Sequence, residues 1–189
     1  MEKKSFDPNA AAPTDAGIFG LPYTEAESTL IFLPVPWEAT TSYGGGTSKG
    51  PQAIYNASPQ LDLFDLDVEK PYEAGIYLLP ESKKVKAWNR QAKLLAQKII
   101  AVGGNIKSKA LEKALQTVNA LSHELNQYVY AESKRVLAKG KILALIGGDH
   151  STPFGALQAI AEHHTDFGIL HFDAHSDTRK AYEGFEHSH

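Results

Sequence analysis

The sequence predicts an α/β fold with parallel strands, and three observations support this. Apolar runs at 142–146 and 168–172 are typical of buried strands. A segment with a helical pattern lies between them, at about 153–163. A strand, a helix and a second strand form a crossover unit, in which the two strands are parallel neighbours.

A polar motif follows each of these two predicted strands. The first motif is Gly-Gly-Asp-His-Ser at 147–151, and the second is Asp-Ala-His-Ser-Asp at 173–177. Open α/β sheets build their sites where the carboxyl ends of neighbouring strands meet. We therefore expect four side chains to face one crevice, those of His150, Asp173, His175 and Asp177.

The residue types in these motifs predict a metal site. Asp173, His175 and Asp177 alternate along the chain, so they share one face while the backbone is extended. Imidazole and carboxylate together suit Mn, Fe, Co, Ni or Zn better than Mg or Ca. Two such ions about 3.5–4 Å apart would make hydroxide available near neutral pH. The alternative is that Asp149 and Ser151 cap the next helix and that the second motif is a polar loop.

The rest of the chain predicts one strand and two long helices besides this unit. A short apolar strand at 30–33 is expected to end at Pro34 and Pro36. Helices are expected at 83–101 and at about 108–139, and Pro51 is expected to open a shorter helix. An apolar stripe on the longest helix predicts a core face, made of Leu121, Leu125, Tyr128, Val129 and Val136.

Composition limits the organisation and the partners of the protein. A chain of 189 residues with 42% hydrophobic content can bury one sizeable core, so we expect one domain, or most of one, over 29–189. The Pro-, Ala- and Gly-rich stretch before it predicts an N-terminal arm over 1–28 that lies outside the core. A net charge of −3 provides no field for nucleic acid or for an anionic membrane. Without cysteine, histidine and carboxylate are the expected metal donors. The polar start of the chain leads us to expect a cytoplasmic protein.

His171 lies two residues before Asp173, so the two side chains can point the same way while the backbone is extended. Several other polar residues are predicted to have no metal role. We expect a solvated loop for three aspartates, and solvated or helix-terminal positions for three histidines: Asp62, Asp65, Asp67, His123, His163 and His164.

At its two polar motifs the chain resembles the ureohydrolase family, which includes arginases and agmatinases. Both family motifs are present without a mismatch, and so is the stretch Leu-Pro-Val-Pro-Trp-Glu-Ala-Thr-Thr-Ser-Tyr at 33–43. A third family motif, Ser-x-Asp-x-Asp-x-x-Asp-Pro, is absent from this sequence. The resemblance implies a three-layer α/β/α sandwich with a mostly parallel sheet, of which this chain supplies the amino-terminal part.

The resemblance also implies specific roles for the residues of the site. Two divalent ions are expected, usually Mn²⁺ and alternatively Ni²⁺, with His150 on one ion and His175 on the other. Asp173 would bridge them, and Asp177 would bind the first ion and orient the hydroxide. His171 has no ligand role in the family pattern, so it is expected to support the ligands or to pack around the site. A loop histidine would donate a proton to the leaving amine. The Tyr-Glu-Gly step at 182–184 favours His189 for this role, with His187 as the second choice.

The substrate implied by the resemblance is a small guanidino compound. The residues at 6–8 and 17–22 resemble an extended subgroup of agmatinases, which release urea and an amine. That subgroup includes members similar to nickel-dependent guanidine hydrolases, and arginase, formiminoglutamase and guanidinobutyrase activities stay open. Because the third motif is absent, a pseudoenzyme or an oligomerisation partner is the non-enzyme alternative. The family implies a homo-oligomer, either a trimer or a hexamer.

Overall fold

The structure of the protein, a computed structural model, describes residues 6–13, 15–41, 43–177 and 182–188. The strands in these ranges are β1 (Leu30–Val35), β2 (Ile76–Leu78) and β3 (Ile142–Gly147). The α-helices are α1 (Gly50–Ala57), α2 (Lys83–Ile100), α3 (Lys109–Leu137) and α4 (Phe154–His163).

The three strands form one parallel sheet in the order β2-β1-β3. Leu30 of β1 pairs with Ile76 of β2 on one side and with Ile142 of β3 on the other. Parallel neighbours need long crossover connections, and the helices provide them. Helix α1 lies between β1 and β2 in the chain, and the α2–α3 pair lies between β2 and β3. The predicted parallel α/β fold is confirmed.

One face of the sheet carries the main core. Alternate side chains of β1, those of Ile31, Leu33 and Val35, are fully buried in one cluster with residues of α2, α3 and α4. From α3 this cluster includes Leu125, Val129 and Val136, with Leu121 and Tyr128 packed against it. The predicted apolar stripe of α3 is therefore core.

The N-terminal arm is packed against the domain. Ile18 and Leu21 are at most 1% exposed. The ring centroids of Phe19 and Phe32 are 6.1 Å apart. The backbone N–H of Phe19 also donates to Ser58 Oγ at 2.8 Å. We predicted that the arm would lie outside the core, and for these residues that was wrong. A tight turn here pairs the Gly17 N–H with the Leu21 carbonyl, which lets the apolar side chains bury without leaving these two backbone groups unpaired.

Strand β1 continues through Pro34 to Val35, although we predicted that Pro34 would end it. The reason is that β2 pairs with β1 only as far as Phe32. Beyond that point β1 has β3 as its one neighbour in the sheet, and Pro34 lies opposite Ile146. A proline is tolerated where one side of the strand has no ladder.

The predicted strand at 168–172 is wrong. No strand is assigned between His164 and Asp177, and no backbone hydrogen bond among the described residues joins this run to β3. The side chains of Ile169, Leu170 and Phe172 are exposed by 66%, 81% and 88%. An apolar run forms a buried strand only where it pairs with the edge of a sheet, and in the part of the chain that the structure describes β3 pairs with β1 and with no other strand.

The helices predicted at 83–101, 108–139 and 153–163 are present with ends within two residues of those expected, and the helix predicted to open at Pro51 is present as well. Serine side chains cap the two longest: Ser82 Oγ accepts from Val85 N–H at 3.3 Å, and Ser108 Oγ accepts from Leu111 N–H at 3.2 Å. Pro51 stands in the first turn of α1, as predicted. None of the helices in the described ranges combines the length and apolar character that a membrane crossing needs.

Candidate metal centre

Four side chains with metal-binding atoms converge beyond the carboxyl end of β3. One donor atom from each of His150, His171, Asp173 and Asp177 lies within 4.8 Å of the others. His150 Nδ1 is 2.5 Å from Asp177 Oδ2 and 3.7 Å from Asp173 Oδ2. The expected meeting of the two motifs is thus present, although the second motif does not follow a strand.

Asp173 is the carboxylate best prepared for a cation. The backbone N–H of His175 donates to its Oδ1 at 2.9 Å, and the imidazoles of His150, His171 and His175 surround it. This hydrogen bond and these neighbours lower the pKa of Asp173 below its ordinary value. The carboxylate is therefore ionised at neutral pH and available as a ligand.

The two histidines on either side of Asp173, His171 and His175, differ in their placement. His171 Nε2 lies 3.9 Å from Asp173 Oδ2, and its ring centroid is 5.5 Å from that of His150. His175 is outside this group of four: its side chain is 81% exposed, and its Nδ1 lies 3.6 Å from the other oxygen of Asp173. The spacing of two residues predicted that His171 can face the same way as Asp173, and the structure places it in the cluster. The sequence assigned it to support of the ligands or to packing, without a ligand role. The ligand role of His175 stays a prediction.

Close backbone contact explains the glycines of the first motif. The carbonyl oxygen of Trp37 lies 1.6 Å from where a Cβ of Gly148 would stand, so no side chain fits. The same oxygen accepts a hydrogen bond from Asp149 N–H at 2.8 Å. The loop after β1 thereby fixes the backbone immediately before His150.

Asp149 is a buried carboxylate next to His150 in the chain. It is 3% exposed; its Oδ1 accepts from the N–H and hydroxyl of Ser151, and its Oδ2 accepts from those of Thr40. Burial raises the pKa of this carboxyl, against those hydrogen bonds. We considered Asp149 and Ser151 as caps of the next helix, but α4 has Pro153 at its N-cap and no side-chain cap. Asp149 instead joins the loops that follow β1 and β3.

A second buried carboxylate, Glu38, organises the glycine loop that follows β1. Glu38 Oε2 accepts from Gly46 N–H at 2.5 Å and from Ser48 N–H at 3.1 Å, while Oε1 pairs with Lys93 of α2. Burial alone would raise the pKa of Glu38, but the hydrogen bonds from Lys93 and the backbone outweigh it and lower the pKa to about 2. The hydrogen bonds that hold the loop therefore depend on Glu38 being ionised.

This depressed pKa predicts a specific loss of stability in acid. Since the ordinary pKa is 4.5, the contribution of Glu38 is complete above pH 4.5 and is lost as the pH falls towards 2. At 1.36 kcal/mol per pKa unit it amounts to about 3 kcal/mol. We expect Glu38→Gln to unfold at lower urea at pH 7 and to lose less stability than wild type between pH 4.5 and 2.5. Glu124→Gln, on an exposed part of α3, should follow the wild-type profile. Parallel profiles for Glu38→Gln and wild type would contradict the prediction.

The segment that carries the expected proton donor is described in part. His187 is half-buried, with its ring centroid 4.9 Å from that of Phe154 in the first turn of α4. Burial lowers the pKa of His187. His189 lies outside the described residues, so the choice between the two stays a prediction.

The model of the Arginase family matches residues 28–189, a range that includes both polar motifs, the Glu38 loop and the segment with His187. The chain belongs to the arginase family. The predicted ureohydrolase resemblance is therefore confirmed, and the parallel sheet with flanking helices fits an arginase-like α/β fold.

Several relatives of this arginase-family chain are ureohydrolases or amidinohydrolases by name. It is 30% identical over 169 residues to the N(1)-aminopropylagmatine ureohydrolase of Thermus thermophilus, covering 89% of this chain and 46% of the relative. It is 28% identical over 167 residues to the agmatinase of Bacillus anthracis, covering 88% and 46%. Over 160 residues it is 49% identical to the proclavaminate amidinohydrolase of Streptomyces clavuligerus, covering 85% and 41%. The chain thus spans somewhat less than half of each relative, and no solved structure matches it.

The donor set fits a first-row transition metal. It offers two imidazole nitrogens and two carboxylates at one point, with no thiolate anywhere in the sequence. Imidazole with carboxylate is the combination that selects such ions over Mg²⁺ or Ca²⁺.

Proposed function

We propose that this protein is a metal-dependent hydrolase of a guanidino compound, agmatinase-like, which releases urea and an amine. The observation that carries this proposal is the meeting of His150 with Asp173 and Asp177 within hydrogen-bonding or near-ligand distance in an arginase-family chain. The names of the relatives, which include ureohydrolases, an agmatinase and an amidinohydrolase, support hydrolysis of a carbon–nitrogen bond of a guanidino group.

We infer that His150, Asp173, His175 and Asp177 hold two divalent ions, Mn²⁺ or alternatively Ni²⁺. When bound, such a pair supplies hydroxide near neutral pH for attack on a carbon. The position of His171 beside Asp173 supports a role for it in orienting that carboxylate, or as a further donor.

The side chains of the protein then have three tasks. Asp173, kept ionised by its surroundings, balances the charge of the cations. Asp177 stands where it accepts a hydrogen bond, since its Oδ2 is 2.5 Å from His150 Nδ1. A histidine of the 182–189 segment protonates the leaving amine, for which we propose His189, with His187 as the alternative.

Two further candidates differ in substrate or in class. The residues at 6–8 and 17–22 resemble those of the extended subgroup, in which a nickel-dependent guanidine hydrolase giving urea and ammonia is the second candidate. A pseudoenzyme is the third. We also propose a homo-oligomer, a trimer or hexamer, which light scattering of the intact protein would test.

Turnover of defined substrates separates these candidates. The intact protein, loaded with Mn²⁺ or with Ni²⁺, would be offered agmatine, arginine, guanidinobutyrate and guanidine, and urea and ammonia would be measured. We expect urea from agmatine with Mn²⁺. Urea with ammonia from guanidine, with Ni²⁺ alone, would replace the first proposal by the second. No urea from any substrate, at full metal occupancy, would indicate the pseudoenzyme.

A further inference from the structure

We propose that Asn119 of α3 is a positioning residue that holds the segment 182–188 against α2 and α3, and that it thereby sets the place of the histidine that transfers the proton, whether this is His187 within the segment or His189 directly after it. The catalytic consequence rests on the proposed function. The anchor itself is carried by contacts between α2, α3 and the segment.

Both ends of the Asn119 amide are used on the segment. Its Nδ2 donates to the carbonyl of Gly184 at 3.2 Å, and its Oδ1 accepts from the N–H of Glu186 at 3.1 Å. A carboxylate could accept from Glu186 but could not donate to Gly184, and an apolar side chain could do neither. The pair of bonds therefore requires an amide at this position.

Phe185, between those two backbone groups, is the apolar part of the anchor. It is 2% exposed and belongs to a core cluster separate from the one beneath the sheet. The other buried members of this cluster come from α2 and α3: Ala96, Ile99, Ala114 and Val118. The two alanines leave room for the ring. The segment is thus buried at its centre rather than lying loosely on the surface.

The backbone of the segment is shaped to fit this surface. Glu183 and Gly184 have positive φ values of 56° and 86°. Leu115 Cδ2 lies 2.9 Å from where a Cβ of Gly184 would stand, so glycine is needed there for contact as well as for conformation. Two hydrogen bonds within the segment hold this shape. Phe185 N–H donates to the Tyr182 carbonyl at 3.0 Å, and Tyr182 N–H donates to Ser188 Oγ at 3.3 Å.

The anchored segment reaches the element that carries the site. Two residues after Phe185, the ring of His187 packs on Phe154, which begins α4 just after the motif containing His150. The two hydrogen bonds described for the Asn119 side chain both go to the segment and not to the proposed metal ligands. We infer that its loss moves the proton-transfer histidine and leaves the metal ligands in place.

Exchange and kinetics on the intact protein test this inference with Asn119→Ala, Asn119→Asp and the control Gln116→Ala. Gln116 is an exposed amide on the same helix, one turn earlier. In Asn119→Ala we expect amide hydrogen exchange at 183–186 to accelerate about tenfold or more. We expect kcat to fall about tenfold, with metal content and KM unchanged. Asn119→Asp keeps one of the two hydrogen bonds and should be intermediate in both, and the control should match wild type.

Hydrogen exchange and kinetics test two separate parts of the inference, the anchor and the positioning role. Unchanged exchange at 183–186 in Asn119→Ala would overturn the anchor. Faster exchange with an unchanged kcat and pH–rate profile would overturn the positioning role. If Asn119→Ala does not fold, Asn119→Asp provides the same comparison. If the wild type hydrolyses no guanidino compound, the proposed function fails, while the exchange result still decides whether Asn119 holds the segment.

Discussion

Replacing Asp173 by alanine is expected to remove bound metal and hydrolytic activity together. Asp173 is the residue on which three imidazoles converge, those of His150, His171 and His175, at 3.6–3.9 Å. Without it, any cations held by the remaining donors would face each other with less compensating charge. We expect activity to fall at least about a hundredfold, because even partners outside the ligand shell cost 10–100-fold when removed.

Metal content by plasma emission and urea release, measured on the same preparations, check this prediction. Asp166→Ala is the matched control, an exposed aspartate seven residues earlier and outside the cluster. It should keep both metal and activity. If Asp173→Ala retained two equivalents of metal per chain, the bridging role would be wrong. Metal loss in Asp166→Ala as well would indicate that substitutions in this run act on folding.

The fold was predictable where local patterns coincide with local structure. The apolar run at 142–146 is followed by two glycines, of which Gly148 permits the close approach of Trp37, and the run is a strand as expected. The run at 168–172 has the same apolar character but no ladder partner among the described residues. The apolar pattern of a segment indicates which side chains it can bury. Whether the segment becomes a strand depends also on a neighbouring backbone with which it can form hydrogen bonds.

The site was predictable to the extent that its residues lie in two short motifs. Asp173 and Asp177 reach His150 even without the predicted strand, and Asp177 has a positive φ of 49° in this irregular run. Because the backbone there is not a regular strand, strict alternation does not hold, and His171 rather than His175 completes the group of four.

The supports of the site could not be predicted from local pattern. Asp149 contacts Thr40, and Glu38 contacts Lys93, across 109 and 55 residues of sequence. Asn119 contacts the 182–188 segment across 65 residues or more. Each pair joins residues that are unremarkable on their own elements, and folding alone brings them together.

The catalytic histidine gives the second large effect. His189→Ala is expected to keep its metals and to lose about 10²–10⁴-fold in kcat, the usual contribution of general acid catalysis. A group that donates a proton must be protonated, so the wild-type rate should fall as the pH rises through its pKa, and His189→Ala should lose that limb of the profile.

His187→Ala is the comparison that makes this result specific. Burial against Phe154 lowers the pKa of His187, which disfavours the protonated form that an acid needs. We therefore expect His187→Ala to be the milder change, with its pH–rate limb retained. Urea release across pH and metal content should be measured for both variants and for His123→Ala, an exposed histidine of α3. If His187→Ala were the crippling change and His189→Ala stayed active, the proton donor would be His187 rather than His189.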